Sequence, residues 1–279
     1  MVSRFRYEVE SFLSENMVKY HVLDDRIVIA DYKIVLHLKE LSRRSSGLGS
    51  VVEPDCRRFT IYEDLWFTKG SIIRNRLLAN MGLGERVFAR KCVVREIGAE
   101  RVKSFMEENH LIGDAKSRFR YGLFDGEELV SAATFSSSRP MEREGRVVQS
   151  YEWVRYANRS SVRVVGGMGR LLNYFVNEVS PDEVMSYADK DWSDGDVYRK
   201  LGFVQIGETS PVEFYVNSET CERISVKKLR NDRKYRDSAE FTQNEIRKAL
   251  LSENFPDSSS YYVLFSNSGN LKFLRSFSF

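Results

Sequence analysis

Arg163-Val164-Val165-Gly166-Gly167-Met168-Gly169-Arg170 is the stretch that decides how this chain is read. A β-branched run enters it, and Leu171, Leu172, Phe175 and Val176 follow at helical spacing. The pattern predicts a strand-to-helix turn, with a helix over Gly167–Val179. Glycines there let the backbone approach a ligand closely and expose the amides at the start of the helix. Those amides, at the positive end of the helix dipole, suit a diphosphate. Tight packing explains such glycines too, so the turn needs support from the residues around it.

Working outward, Val147–Tyr156 reads as a strand before the turn. Val184–Ala188 reads as a short strand after it, followed by a short helix at Gly195–Leu201 that Gly202 terminates. Phe203–Ile206 and Val212–Val216 are expected to close the sheet as a last pair. Upstream, Val87–Val94 is an expected strand. Ala99–Asn109 is an expected helix with Val102, Phe105 and Met106 on one face. Arg120–Phe124 and Leu129–Phe135 flank Asp125-Gly126, a hairpin signal. Antiparallel strands followed by strand–helix–strand predict an α/β fold, a mixed central sheet with one parallel crossover and flanking helices.

Two further regions bracket this one, so the expected division is 1–84, 87–216 and 217–279. In the first, Arg26–Ala30 and Lys33–Leu38 read as a hairpin around Asp31-Tyr32. Arg43–Pro54 reads as a loop and Phe59–Tyr62 as a strand. Glu63–Trp66 opens a helical stretch, and Ser71–Asn80 is a helix ending at the break Gly82-Leu83-Gly84. In the last, Thr242 is the expected N-cap of a helix to Leu251, and Asp257–Ser260 is a polar loop. Tyr261–Phe265 and Asn270–Phe273 read as a small hairpin around Ser268-Gly269. There are no internal repeats.

Composition limits the classes that remain. With 279 residues, 18 Phe and 14 Tyr, the chain can bury a sizeable core. No apolar run approaches the roughly 20 residues of a membrane span. The opening Met1–Asn16 carries acids early and does not read as a secretory signal. Three widely separated cysteines (Cys56, Cys92, Cys221) suit a reducing compartment, the cytoplasm or an organelle matrix, and His21, His37 and His110 form no zinc-type spacing. Net charge is only +3, but Arg223–Arg236 concentrates Arg223, Lys227, Lys228, Arg230, Arg233, Lys234 and Arg236 against Asp232. Such a run suits nucleic-acid phosphates; a solvated surface is the plainer account.

The glycine turn gains weight from Ser186-Tyr187-Ala188-Asp189, Trp192 and Tyr198-Arg199-Lys200-Leu201-Gly202-Phe203. A Tyr-x-x-x-Gly-Phe after a short strand and helix resembles the closing motif of GNAT acetyltransferases, and the turn resembles their pyrophosphate loop. The resemblance implies acetyl-CoA, or another acyl-CoA, held between two splayed parallel strands. It makes Gly166, Gly167, Met168, Gly169 and Arg170 the cofactor loop and Tyr198 the acid that protonates the leaving thiolate. A packed aromatic is the other reading of Tyr198. Asp189 and Glu152 are candidate bases. Val164 departs from the family pattern, which places a basic or amide residue there.

The similarity extends further. Phe59–Trp66, Ala89–Cys92, Glu107–His110, Ser186–Trp192 and Ser268–Phe273 resemble a phage and mobile-element family. Its members join a Vsr-like, PD-(D/E)xK-type endonuclease half to a GNAT-like, Mom-type half. In the nuclease half, Leu36-His37-Leu38-Lys39 stands where Glu-x-Lys or Glu-x-Asn is expected, leaving Asp25. Imidazole is a poor Mg²⁺ ligand, so this half is expected not to cut, and no metal site is expected. Three functions follow: an acyltransferase in a nucleic-acid context, a non-catalytic nucleic-acid-binding or assembly module, and an active DNA endonuclease, which the missing acid disfavours.

Overall fold

The computed structural model describes residues 2–23, 26–41, 55–227 and 262–277. In chain order these form α1 (Arg4–Glu15), β1 (His21–Leu23), β2 (Arg26–Ile29), β3 (Ile34–Lys39), β4 (Arg57–Tyr62), α2 (Glu63–Thr68) and α3 (Gly70–Met81). Next come β5 (Glu85–Phe88), β6 (Val93–Glu96), α4 (Ala99–Asn109), β7 (Phe119–Asp125), β8 (Glu128–Phe135), β9 (Arg139–Arg143) and β10 (Arg146–Asn158). Then follow β11 (Val162–Val165), α5 (Gly167–Val179), β12 (Glu183–Asp189), α6 (Asp196–Lys200) and β13 (Val204–Glu208). The remaining strands are β14 (Glu213–Asn217), β15 (Arg223–Ser225), β16 (Tyr262–Ser266) and β17 (Asn270–Ser276). The expected loop at Arg43–Pro54, helix at Thr242–Leu251 and loop at Asp257–Ser260 lie outside the described residues.

Two compact units share the chain. One comprises Met1–Thr68, Asp189–Asp194 and Thr209–Asn270; the other comprises Lys69–Ala188, Gly195–Glu208 and Leu271–Phe279. In the first unit, β1-β2-β3-β4 form one sheet and β15-β14-β16 another. The expected hairpin appears as β2 against β3, and β4 lies parallel to β3. Helix α1 starts on Ser3, whose side chain accepts from the Arg6 amide. Its buried face sets Phe5 and Phe12 edge-on to Trp66, with centroids 6.2 and 5.8 Å apart. Fully buried Asp64 receives both arms of Arg223 at 2.6 and 2.8 Å. Buried Asp191 accepts from the hydroxyls of Ser268 at 2.7 Å and Tyr62 at 3.2 Å.

The second unit is built on an eight-stranded sheet, β13-β17-β12-β10-β8-β7-β6, with β9 beside β10. Its β10–β12 ladder is parallel, whereas β6–β7, β7–β8, β8–β10, β9–β10 and β13–β17 are antiparallel. This is the expected mixed sheet flanked by helices. Helix α5 buries Leu171, Leu172 and Phe175 against Ala133, Phe135 and Trp153; the Phe135 and Phe175 rings stack at 3.9 Å. Helix α4 packs Val102, Phe105 and Met106 with Leu129, Ala132 and Ala157. Neighbouring Ala132 and Ala133 point to opposite faces, so the two helices cover the two sides of the sheet.

Three expectations need correction. Val87–Val94 is not one strand: a single turn at Ala89–Lys91 separates β5 from β6. The region after Gly202 does not close as a local pair. Strand β13 pairs with β17, while β14 pairs with β15 and β16. Tyr261–Phe265 and Asn270–Phe273 therefore form no hairpin; β16 and β17 belong to different sheets. Gly269, at φ +77, turns the chain between them.

Candidate active site

The parallel ladder between β10 and β12 is short. It pairs Ser150 with Glu183, Tyr151 with Val184 and Glu152 with Met185. Immediately beyond, the pairing of β10 with β8 shifts register between Trp153 and Arg155. The pairing of β10 with β12 ends at Glu152 and Met185, next to this irregularity, and the two strands part there. At the parting, the Ser186 hydroxyl lies 3.1 Å from the Trp153 carbonyl and 3.0 Å from the Tyr198 hydroxyl. Ser186 has one proton, so it donates to only one of these at a time. The Tyr198 hydroxyl donates to the Tyr187 carbonyl at 3.3 Å.

The Tyr198 ring, carried on α6, packs against three aromatic rings. It stacks on Phe273 at 5.0 Å and meets Phe203 and Trp153 edge-on at 5.6 and 6.1 Å. Burial pushes the phenol pKa above its ordinary value, against the opposing hydrogen bond from Ser186. A phenol so placed keeps its proton at neutral pH and can donate it to a stronger base.

The glycine turn forms as expected. Gly166 takes a left-handed conformation (φ +79, ψ 6) and caps α5 without a side-chain hydrogen bond. The first amides of the helix, those of Gly167, Met168 and Gly169, have no intrahelical acceptor. The glycines also have packing reasons. A Cβ on Gly167 would stand 2.5 Å from the Tyr156 hydroxyl and 3.0 Å from Val164 Cγ1, and one on Gly169 3.1 Å from Leu201 Cδ2. Val164 is buried beneath the turn. Gly166 and Arg170 are exposed, and Met168 and Gly169 are half-buried.

Glu152 is half-buried on β10. It pairs with Met185, and Tyr187 lies two residues further on the same side of β12, so Glu152 and Tyr187 share one face and Ser186 lies on the other. Burial first, and the Glu152 carboxylate second, raise the pKa of the Tyr187 phenol, while Arg139 lowers it. Arg155 donates to the Gly113 carbonyl at 3.1 Å and to the Val154 carbonyl at 2.8 Å.

Asp189 belongs to the first unit, where its carboxylate accepts from the Asp191 amide at 3.0 Å and shapes a turn. Trp192 stacks on Phe59 at 5.4 Å in the same unit. His37 is half-buried on β3, opposite Arg26 and Thr60. Lys227 is exposed; Asp25, Lys228, Arg230, Arg233 and Lys234 lie outside the described residues. Sequence reasoning missed Ser186 and Phe273. Ser186 left a signal, a hydroxyl at an inward position between Val184 and Ala188.

No family model matches the sequence, and no curated protein matches it. Among solved structures, the chain is similar to an acetyltransferase of Bacillus subtilis in complex with CoA. The identity is 11%, covering 67% of this chain and 100% of that one, at a TM-score of 0.38. A GNAT family acetyltransferase of Elizabethkingia anophelis with acetyl-CoA bound is 10% identical, over 67% of this chain and 99% of that one, at 0.36. A KacTA–DNA complex is 22% identical, over 41% of this chain and 86% of that one, at 0.30. Identities this low speak of fold at most, and the strand order described above is what defines the architecture here.

Proposed function

We propose that the second unit is an N-acyltransferase that uses acetyl-CoA or another acyl-CoA. The observation that carries this reading is the Tyr198 phenol at the point where β10 and β12 part. The amides of Gly167, Met168 and Gly169, with Arg170, would hold the diphosphate at the turn that Gly166 opens. An acceptor amine attacks the thioester carbonyl, the C–S bond breaks, and its electron pair leaves on sulfur. Tyr198 gives that sulfur its proton. Glu152 takes a proton from the amine.

The nucleic-acid context rests on the basic run, with Lys227, Lys228, Arg230, Arg233 and Lys234 as phosphate contacts. In the same reading, residues 1–84 hold a nuclease-like segment without cutting activity, 87–216 most of the acyltransferase, to which residues 69–84 and β17 of the second unit also contribute, and 217–279 a basic extension. One observation favours a non-catalytic binding module instead: Tyr156 and Leu201 account for Gly167 and Gly169 without any ligand.

Calorimetry with acetyl-CoA separates the two readings. Gly167 is unsuitable for substitution because its Cβ would collide with Tyr156, so exposed Arg170 carries the test. The parent should bind saturably, and Arg170→Glu should bind about ten-fold more weakly. Tyr198→Phe should bind within about two-fold of the parent, while acetyl-CoA turnover with an amine acceptor falls about a hundred-fold. Absence of saturable binding by the folded parent would sink the acyltransferase in favour of the binding module.

A further inference from the structure

Strands β5 and β11 form a separate two-stranded parallel sheet. Its register pairs Glu85 with Val162, Arg86 with Arg163, Val87 with Val164 and Phe88 with Val165. Val87, Val162 and Val164 are buried, so the alternate positions, Arg86, Phe88, Arg163 and Val165, make up the opposite face. All four are exposed, Phe88 to 36% and Val165 to 39%. Glu85 lies on the other side, where its carboxylate meets Arg159 at 3.5 Å.

This face pairs two arginines in register across the strands, an arrangement that weakens a ladder. Neither Arg86 nor Arg163 forms an ion pair among the described residues, and the other two strand positions on their face are Phe88 and Val165. Arg90, exposed in the turn after β5, holds its guanidinium 5.3 Å from the Phe88 ring centroid. Val165 runs straight into the glycine turn. Arg86 and Arg163 thus share the face of an exposed aromatic ring that Arg90 approaches from the following turn. A like-charge pair that costs stability in the free protein becomes favourable once a polyanion lies across it.

We propose that this face binds single-stranded nucleic acid, with Arg86, Arg163 and Arg90 on successive phosphates and Phe88 beneath a base. Charge complementarity selects the phosphodiester backbone, and the exposed ring selects the single strand. In a duplex the bases are stacked inside, and Phe88 would have nothing to stack on. The inference is independent of the acyl-transfer reading, since neither Tyr198 nor the parting of β10 and β12 takes part.

The test is fluorescence anisotropy of a labelled oligo(dT) with the full chain, titrated between about 50 and 200 mM salt. Arg163→Glu turns the like-charge pair into an ion pair. Its melting temperature should hold or rise while affinity falls about ten-fold or more, and the salt slope should become shallower by about 0.7 for each phosphate no longer neutralised. Phe88→Ala should weaken binding about ten-fold with the slope unchanged. Should Arg163→Glu fail to fold, Arg163→Gln carries the same expectation. The proposal falls if the parent does not bind, or if the Arg163 variant keeps its affinity and slope. It falls as well if acetyl-CoA displaces the oligonucleotide fully, which would give the face to a nucleotide cofactor. An unaffected Phe88→Ala together with equal competition by dextran sulfate would reduce the face to a general polyanion surface and overturn the assignment.

Discussion

His110 ends α4 with its ring turned back on the chain, Nδ1 accepting from the Ile112 amide at 3.3 Å. Burial, then the nearby cations Arg155 and Arg76, push its pKa down from 6.5 to about 3. In the folded state the imidazole therefore stays neutral across the mildly acid range, whereas in the unfolded chain it takes a proton below its ordinary pKa. The unfolded state binds more protons in that window, so stability falls as pH drops from about 6.5 towards 3 and is unaffected above 7. Allowing for the ring's partial exposure, the loss by pH 5 should be about 1–2 kcal/mol. Urea denaturation of the parent and His110→Gln at pH 7 and pH 5 checks this. The variant should lose this part of the pH dependence, and identical dependence in both would assign it elsewhere. Tyr198 illustrates the same physics in a group whose neutral form carries the proton: burial keeps its phenol protonated at neutral pH.

Strand β17 is the element on which the second unit's sheet depends, because it joins β12 to β13. Its Phe273 is fully buried and forms the stacking surface for Tyr198. The Gly195 conformation (φ +85) that starts α6 also brings the glycine directly onto this ring, where a Cβ would not fit. Phe273→Ala should destabilise the unit by about 3–5 kcal/mol through reduced burial and the cavity left behind. Against a typical total of about 5–15 kcal/mol, that is enough to lower the melting temperature visibly. Chemical denaturation followed by tryptophan fluorescence measures it, and a loss below about 1 kcal/mol would mean that the site collapses around the smaller side chain. Local pattern reads Asn270–Phe273 correctly as a strand but gives it the wrong neighbour. Alternation tells which face of a strand is apolar and says nothing about which edge it joins.

At the scale of the whole molecule, the chain passes between its two units five times, at 68/69, 188/189, 194/195, 208/209 and 270/271. The proposed nuclease-like reading of residues 1–84 belongs here, since Met1–Thr68 lies in the first unit and the remainder in the second. On that proposed reading His37 stands where a carboxylate would be needed, and the full chain should not nick plasmid DNA in the presence of Mg²⁺. Agarose electrophoresis checks this, and cleavage that disappears in Asp25→Ala would reinstate the endonuclease. The sequence by itself determined the elements whose signals are local. The helices over Ala99–Asn109 and Gly167–Val179 follow from 3.6-residue apolar spacing, and the hairpin around Asp125-Gly126 from its turn residues. Helix α1 carries the same kind of signal, with Phe5, Val9, Phe12 and Leu13 on one face, although the sequence reading did not single it out. Only the tertiary structure decided what depends on residues far apart in the chain. Asp64 meets Arg223, β13 meets β17, and Ser186 joins Trp153 to Tyr198 at the strand parting. It also showed that Gly167 is required by the Tyr156 hydroxyl, and that Arg86 faces Arg163. Periodicity fixes which side of an element is buried, because that depends on neighbours a few residues away. The partner an element is buried against is chosen by packing over the whole chain, and no local pattern encodes it.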